Sequence, residues 1–146
     1  VALKGNSIID RPIEIDGGKY RINCISLGNP HCVVFADKIE SIDIERIGPL
    51  FENAPIFPER TNTEFVRVVN RNILKMRVYE RGNGETNACG TGACAAVAAA
   101  IENGLCSANE TVTVKTCGGD LFVKYTYDNI FLTGNAEMIF TGTTEF

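Results

Sequence analysis

The amino-acid sequence predicts an α+β domain in which a mostly antiparallel, barrel-like sheet of about eight strands wraps around one central apolar helix. Three observations lead to this expectation. Eight or nine short runs rich in β-branched and aromatic residues are separated by turn residues, which is typical of strands. Ala93–Ile101 carries no polar side chain, so a helix formed by it is buried on all sides. The length of 146 residues fits a single domain, 1–146.

The N-terminal part of the chain is predicted to form three strands. Ile13–Ile15 and Tyr20–Leu27 alternate about an Asp-Gly-Gly turn, which predicts a β-hairpin. His31–Phe35 follows as a third strand after a break at residues 28–30. Because Pro30 favours an extended residue before it, we expect the Asn29 side chain to project from a defined loop.

A helix follows these strands. Ile39–Phe51 has apolar residues at helical spacing, with Ile42 or Asp43 near its start, and Pro49 weakens its last turn. A proline-rich bend over residues 54–60 comes next. The bend ends at Thr61-Asn62, so Asn62 is either a turn former or a polar group presented to a ligand.

A second hairpin leads to two charged candidates for ligand binding. Phe65–Val69 and Leu74–Tyr79 alternate around a polar turn, and the second strand delivers Glu80 and Arg81 before a glycine-rich loop. Neighbouring strand residues point to opposite faces, so these two side chains are not expected to pair with each other. Glu80 could bind an ammonium group and Arg81 a carboxylate, the alternative being a solvated strand end.

The glycine loop leads into the apolar helix, and Cys89 stands where that helix begins. The first turn of a helix has unpaired N–H groups and a partial positive charge, which favour a thiolate at Cys89 or a bound carboxylate. Gly90 and Gly92 have no Cβ, so an anionic ligand can approach their backbone closely. The alternative interpretation of Cys89 is a small buried hydrophobic residue.

The remainder of the chain is predicted to be all strand. Turn residues separate the predicted strands, which are Thr111–Lys115, Asp120–Tyr125, Ile130–Thr133 and Ala136–Phe140.

Composition and charge exclude several classes of function. A net charge of −4 without a basic cluster gives no electrostatic footprint for nucleic acid. The apolar helix is much shorter than the roughly 20 residues that span a bilayer, so no membrane association is expected. Six cysteines in a chain of this size and apolar content indicate free thiols and a cytoplasmic protein. With His31 as the single imidazole and no paired cysteines at short spacing, we expect no metal.

Four motifs carry a resemblance to a known family. They are Gly28-Asn29-Pro30-His31, Phe57-Pro58-Glu59-Arg60-Thr61-Asn62, Glu80-Arg81-Gly82-Asn83-Gly84-Glu85-Thr86 and Ala88-Cys89-Gly90-Thr91-Gly92-Ala93-Cys94. With these motifs the chain resembles the C-terminal half of diaminopimelate epimerases, from about Leu27 to Gly142. Proline racemases and phenazine-biosynthesis isomerases share the fold, and the Glu80-Arg81 pair favours the diaminopimelate branch.

The resemblance implies a reaction and a role for each candidate residue. The family interconverts L,L- and meso-2,6-diaminopimelate, in lysine and peptidoglycan biosynthesis, with two cysteines and without pyridoxal phosphate or another cofactor. By resemblance Cys89 is one of these cysteines, and His31 and Glu80 adjust the proton affinities of the thiols. The residues implied to hold the substrate are Asn29, Asn62, Glu80, Arg81, Gly90 and Thr91.

The family's other half, which carries the second cysteine, has no counterpart in this sequence. The chain begins at Val1 and looks like part of a longer protein whose N-terminal domain is absent. We therefore expect that it cannot epimerise diaminopimelate alone. A homodimer of the full-length enzyme is compatible with the resemblance.

Three alternative functions remain open from the sequence. The chain could be an amino-acid-binding module that does no chemistry, or an isomerase of the proline racemase or phenazine-biosynthesis type. A cysteine hydrolase is the third, and it requires His31 to approach Cys89.

Overall fold

The computed structural model describes residues 8–145, which form one sheet of nine strands, two α-helices and a short 3-10 helix. The strands are β1 (Ile8–Ile15), β2 (Gly18–Ser26), β3 (Pro30–Phe35), β4 (Asn62–Asn70), β5 (Ile73–Glu80), β6 (Gly84–Thr86), β7 (Thr111–Thr116), β8 (Gly119–Tyr125) and β9 (Ile130–Thr133). The helices are the 3-10 helix Ile39–Ser41, α1 (Ile44–Glu52) and α2 (Gly90–Glu102).

The sheet is mixed and open, where the sequence predicted a mostly antiparallel barrel. Its order is β1-β2-β3-β4-β5-β7-β8-β9, with β6 paired to β5, so β1 and β9 lie at opposite ends. The β3–β4 and β5–β7 pairs are parallel, and the other pairs are antiparallel. Parallel neighbours need long crossover connections, and α1 and α2 lie in the two crossovers.

Helix α2 forms the centre of the main hydrophobic core, as the sequence predicted. Every residue from Gly92 to Ile101 is buried. Apolar side chains from several strands pack around it, including Val33, Val66 and Val123. The small alanine side chains let the surrounding strands approach the helix axis, which fixes the position of its N-terminus. Within the described residues, neither α-helix has the length and hydrophobicity needed to cross a bilayer.

Helix α1 begins later than predicted. The segment that was expected to be one helix from Ile39 divides into the 3-10 helix and α1, because Asp43 has a non-helical backbone and caps α1. The Asp43 carboxylate accepts a hydrogen bond from Arg46 N at 3.3 Å. Pro49 lies inside α1 without ending it, and Phe51 packs edge-on against Phe65 with ring centroids 5.6 Å apart.

The predicted strand Ala136–Phe140 is not formed. Residues 134–145 have no regular secondary structure, and the side chains of Met138, Ile139 and Phe140 are 79%, 90% and 82% exposed. A strand requires a hydrogen-bonded neighbour, and the described part of the chain gives this segment none. The alternating residues of this segment are typical of a β-strand, but alternation does not indicate whether a neighbouring strand is available for pairing.

Candidate active site

Cys89 is the N-cap residue of α2. Its backbone is extended (φ −133°, ψ 115°), and its Sγ atom accepts a hydrogen bond from Gly92 N at 3.3 Å. The side chain thus takes the position that serine, threonine or aspartate usually occupies at a helix start. Cys89 is half-buried, so part of the residue is accessible from outside the core while its sulfur is hydrogen-bonded to the first turn.

The pKa of the Cys89 thiol lies above its ordinary value of 9.0. Burial is the largest cause, and the negative charges of Glu64 and Glu80 add to it. Hydrogen bonds from Thr91 and Gly92 N lower the pKa without overcoming these effects. The sequence-based expectation of a stabilised thiolate is therefore wrong for the chain without a ligand, although the helix N-terminus acts in the expected direction.

His31 is buried beneath the site and both of its ring nitrogens are occupied. Nδ1 lies 2.7 Å from Oε1 of Glu64, and Nε2 lies 3.1 Å from Oδ1 of Asn29. Burial raises the pKa of the Glu64 carboxyl, although its hydrogen bond with His31 acts in the opposite sense. This arrangement does not support a cysteine hydrolase, which needs an imidazole nitrogen directed at the sulfur.

Side-chain contacts connect His31 to Cys89 through two residues. Nδ2 of Asn29 lies 3.4 Å from Oγ1 of Thr91, and that oxygen lies 3.6 Å from Sγ of Cys89. The predicted residues Asn29, Thr91 and Cys89 therefore meet at one place, where the loop before β3 reaches the first turn of α2.

Asn62 and the end of β5 form the other side of the site. Oδ1 of Asn62 accepts a hydrogen bond from Arg81 N at 2.9 Å, and its Nδ2 donates to the Pro30 carbonyl at 3.1 Å. The Asn62 side chain thus links the start of β3 to the turn after β5 by hydrogen bonds. The parallel pairing of His31 with Asn62 brings these segments together.

Glu80 and Arg81 point in different directions, as predicted. Oε1 of Glu80 accepts a hydrogen bond from the Thr86 hydroxyl at 2.6 Å, and its charge acts on Cys89. Nη1 of Arg81 donates to the Glu59 carbonyl at 2.8 Å, and the side chain is exposed.

Two buried carboxylates at the site were not identified from the sequence. Glu64 contacts His31, and Glu52 accepts hydrogen bonds from Gly82 N at 2.8 Å and from Arg60 Nη1 at 2.9 Å. Gly82 has φ +78°, a conformation that favours glycine, and Glu52 ties this turn to the end of α1. Strand alternation could have identified Glu64, because it lies on the same face of β4 as the buried Val66.

The described residues contain no group of three or more histidine, cysteine, aspartate or glutamate side chains that could hold a metal ion. All six cysteines lie in this part of the chain and are free. The side chains that the described residues bring to the site carry a thiol, carboxylates, amides and a guanidinium group.

We expect alkylation of Cys89 to accelerate as the pH rises and to reach half of its maximal rate above pH 9.0, since its pKa is raised. Cys94, in the same helix, provides an internal control because burial raises the pKa of its thiol to about 11. Iodoacetamide labelling over a pH series, read by peptide mass spectrometry, measures both midpoints and should place that of Cys89 above pH 9.0. A midpoint for Cys89 below pH 9.0 would contradict the burial argument.

Solved structures of known proteins share this fold. A hydroxyproline epimerase from Agrobacterium vitis, solved with bound trans-4-hydroxy-L-proline, aligns with 81% of this chain and 40% of its own, with a TM-score of 0.60 and 14% identity. A phenazine biosynthesis protein from Bacillus anthracis aligns with 72% of this chain and 34% of its own, with a TM-score of 0.51 and 23% identity. These similarities confirm the predicted relationship in fold.

Sequence relatives are considerably more similar. Diaminopimelate epimerase 1 of Nostoc sp. is 47% identical over 92% of this chain and 48% of its own length. The diaminopimelate epimerase of Trichodesmium erythraeum is 48% identical over 97% of this chain and 51% of its own length. The chain thus spans about half the length of these relatives. The sequence model of the family described as diaminopimelate epimerase matches residues 23–139, and the chain belongs to that family.

Proposed function

We propose that this chain forms one half of a diaminopimelate epimerase and supplies one of the two cysteines that interconvert L,L- and meso-2,6-diaminopimelate. One observation carries the proposal: a half-buried sulfur is held at the N-terminus of a buried helix, beside the residues that the family motifs assign to substrate. The names of the relatives support the choice of substrate. We also propose the cytoplasm as its location, because free cysteines stay reduced there.

Removal of an α-proton from an amino acid requires a positioned base and compensation of negative charge. In the proposed step the Cα–H bond breaks, its proton moves to the Cys89 sulfur, and a thiol on the opposite face of Cα delivers another proton. That second thiol belongs to the other half of the enzyme. N–H groups of Gly90 and Thr91, at the positive end of α2, bind the reacting carboxylate.

In this proposal the bound substrate also lowers the raised pKa of the Cys89 thiol. Its ammonium group is placed against Glu80, whose negative charge raises the pKa of the thiol in the chain without ligand. A positive charge close to the sulfur lowers that pKa. The thiolate therefore forms mainly once substrate is present, which protects the sulfur from oxidation in the empty site.

Asn29, Asn62 and Arg81 are proposed to hold the substrate, mainly at its distal amino-acid group. The planar fork of a guanidinium fits a carboxylate with two parallel hydrogen bonds. Arg81 is exposed and attached through Nη1 to the Glu59 carbonyl, so its side chain lies at the edge where a distal carboxylate would arrive. Selectivity for a two-headed substrate follows, because a shorter amino acid leaves these groups unpaired.

We expect the 146-residue chain alone to give no conversion of L,L-diaminopimelate to the meso form, because it lacks the opposing thiol. Chiral chromatography of the reaction mixture measures the conversion. Adding the N-terminal half of a relative as a separate polypeptide should restore turnover if the halves associate. Full turnover in both directions by the chain alone would contradict the two-cysteine proposal.

A binding module without chemistry is the second candidate, and the raised pKa of Cys89 is the observation that favours it. The two candidates differ in what the ligand does to the thiol. An epimerase half should bind diaminopimelate with Cys89 at the reacting carbon, so the ligand blocks alkylation of that residue. A pure binding module would bind the amino acid while Cys89 stays equally reactive.

A further inference from the structure

Glu64 of β4 lies directly beneath the active cysteine and has no role in the proposed reaction. Its side chain is completely buried. A Cβ atom added to Gly92 would lie 2.8 Å from Oε1 of Glu64, which shows how closely the carboxyl group approaches the first turn of α2. Its second oxygen, Oε2, is buried and has no hydrogen-bond partner in the described structure.

The unpaired Oε2 atom of Glu64 bears on how the Glu64–His31 pair is protonated. A fully charged carboxylate with one bare oxygen is costly inside a protein, so the carboxyl group is stabilised by sharing a proton. Nδ1 of His31, 2.7 Å from Oε1, is the group that can share it. With one proton between Oε1 and Nδ1, the pair is neutral overall and the ring Nε2 carries a second proton.

The Nε2 proton sets the orientation of the next groups toward the thiol. It faces Oδ1 of Asn29 at 3.1 Å, so the Asn29 amide turns its N–H groups toward Thr91, 3.4 Å away. The Thr91 oxygen then accepts a hydrogen bond from Asn29, and its own hydrogen is left for the Cys89 sulfur at 3.6 Å.

We propose that Glu64 is a positioning residue: by binding Nδ1 of His31 it aligns Asn29 and Thr91 so that the Thr91 hydroxyl donates to the Cys89 sulfur. The proposal rests on the proposed function in taking Cys89 as the acid–base group. The titratable groups that act on this sulfur are Glu64 of β4 and Glu80 of β5, and Cys89 in turn raises the pKa of the Cys94 thiol in α2.

A direct effect of the Glu64 charge on Cys89 is the competing explanation. It predicts the opposite change in the reactivity of Cys89 when Glu64 is replaced. A nearby negative charge raises the pKa of a thiol, so removing it would make Cys89 more reactive at neutral pH. Loss of the aligned hydroxyl would make Cys89 less reactive, because a donor that stabilises the thiolate disappears. The direction of the change therefore separates the two explanations.

The test uses three variants of the chain: Glu64→Gln, Glu64→Leu and Thr91→Val. Iodoacetamide alkylation of Cys89 is followed over a pH series by peptide mass spectrometry. Glu64→Leu leaves Nδ1 without a partner, and we expect it to slow alkylation at neutral pH about tenfold. Glu64→Gln can still hydrogen-bond Nδ1, so its rate should stay within about twofold of the unchanged chain.

The double variant Glu64→Leu, Thr91→Val decides whether Glu64 acts through the hydroxyl. If it does, Glu64→Leu adds no further change in the Thr91→Val background. Faster alkylation in Glu64→Gln, or an equal effect of Glu64→Leu with and without the Thr91 hydroxyl, would overturn the proposal. If the leucine variant does not fold, Glu64→Ala takes its place in both comparisons, and faster alkylation in Glu64→Gln still overturns the proposal because a charge effect predicts acceleration.

These outcomes are separable from failure of the proposed function. If diaminopimelate does not protect Cys89 in the unchanged protein, the proposed function fails, whatever the Glu64 variants do. If protection is seen and the variants leave the pH profile unchanged, the positioning role alone fails.

Discussion

Replacing Cys89 by alanine is expected to lower the rate of epimerisation by the complete enzyme about 10³-fold, since a positioned acid–base group contributes roughly 10²–10⁴-fold. Alanine keeps the helix start but removes the sulfur that accepts the α-proton in the proposed reaction. Chiral chromatography of the reaction with L,L-diaminopimelate, using the full-length polypeptide, measures the loss.

Cys94→Ala is the matched control for this prediction. Cys94 lies in the same helix and is buried in the core, so its replacement removes a similar side chain that is not one of the proposed site residues. We expect its turnover rate to stay close to that of the unchanged enzyme, with some loss of stability. Similar rates for Cys89→Ala and Cys94→Ala would show that Cys89 takes no part in the reaction.

Replacing Gly92 by alanine should lower the stability of the fold and change the reactivity of the Cys89 thiol. The added methyl group would meet Oε1 of Glu64 at 2.8 Å and Sγ of Cys89 at 3.2 Å. Glu64 is buried and held by His31, so it cannot move aside easily. Overpacking of this kind lowers the free energy of unfolding by about 1–3 kcal/mol. Urea denaturation measures the stability, and alkylation measures the reactivity of Cys89.

Gly90→Ala is the stability control, two positions earlier in the same helix. Its methyl group would lie 2.9 Å from Cδ2 of Leu132, closer than van der Waals contact, and no other atom of the described neighbouring residues lies within 4 Å of it. Leu132 is 45% exposed and can rotate away, while alanine favours the helix by roughly 0.5–1 kcal/mol over glycine. A Gly92→Ala variant as stable as Gly90→Ala would show that the Glu64 carboxyl is not fixed beneath the helix.

The central helix was predictable because its composition leaves no alternative. An uninterrupted run of alanine with valine and isoleucine has no polar face, so it must be buried, and the structure confirms this for Gly92–Ile101. The helix begins at Gly90, directly after Cys89, as the sequence predicted, and the sulfur of Cys89 caps its first turn through Gly92. A cysteine is not a typical capping residue, so the glycine-rich loop before the alanine run, and not a capping pattern, indicated this boundary.

The order of the sheet could not be predicted in the same way. The pairing of β3 with β4 depends on the crossover that contains α1, and strand alternation carries no information about which neighbour a strand will find. The short strand β6, Gly84–Thr86, was missed because it forms only by pairing with β5. The barrel-like shape that the sequence predicted is not confirmed for the same reason, since closure depends on the partners of β1 and β9, which lie at opposite ends of the sheet.

The structure brings predicted site residues together, but two buried carboxylates at the site, Glu64 and Glu52, were not predicted. Cys89 and Asn29 stand in loops with glycine and Glu80 ends β5 directly before one, so the sequence marked them as candidates. Glu64 was missed because the predicted strand began at Phe65, so the alternation that places Glu64 on the same face as Val66 was not applied to it. Its partner His31 lies 33 residues away and meets it only through the parallel strands.

The central claim is that Cys89 faces the α-carbon of a bound amino acid, and its alkylation in the presence of diaminopimelate tests this most directly. Cys117 is the internal reference, since it is exposed and lines a separate small cavity with Lys75 and Arg77. Mass spectrometry of the iodoacetamide-treated full-length polypeptide should show that saturating diaminopimelate slows labelling of Cys89 and leaves Cys117 unchanged. Equal labelling of Cys89 with and without the bound amino acid would contradict the account.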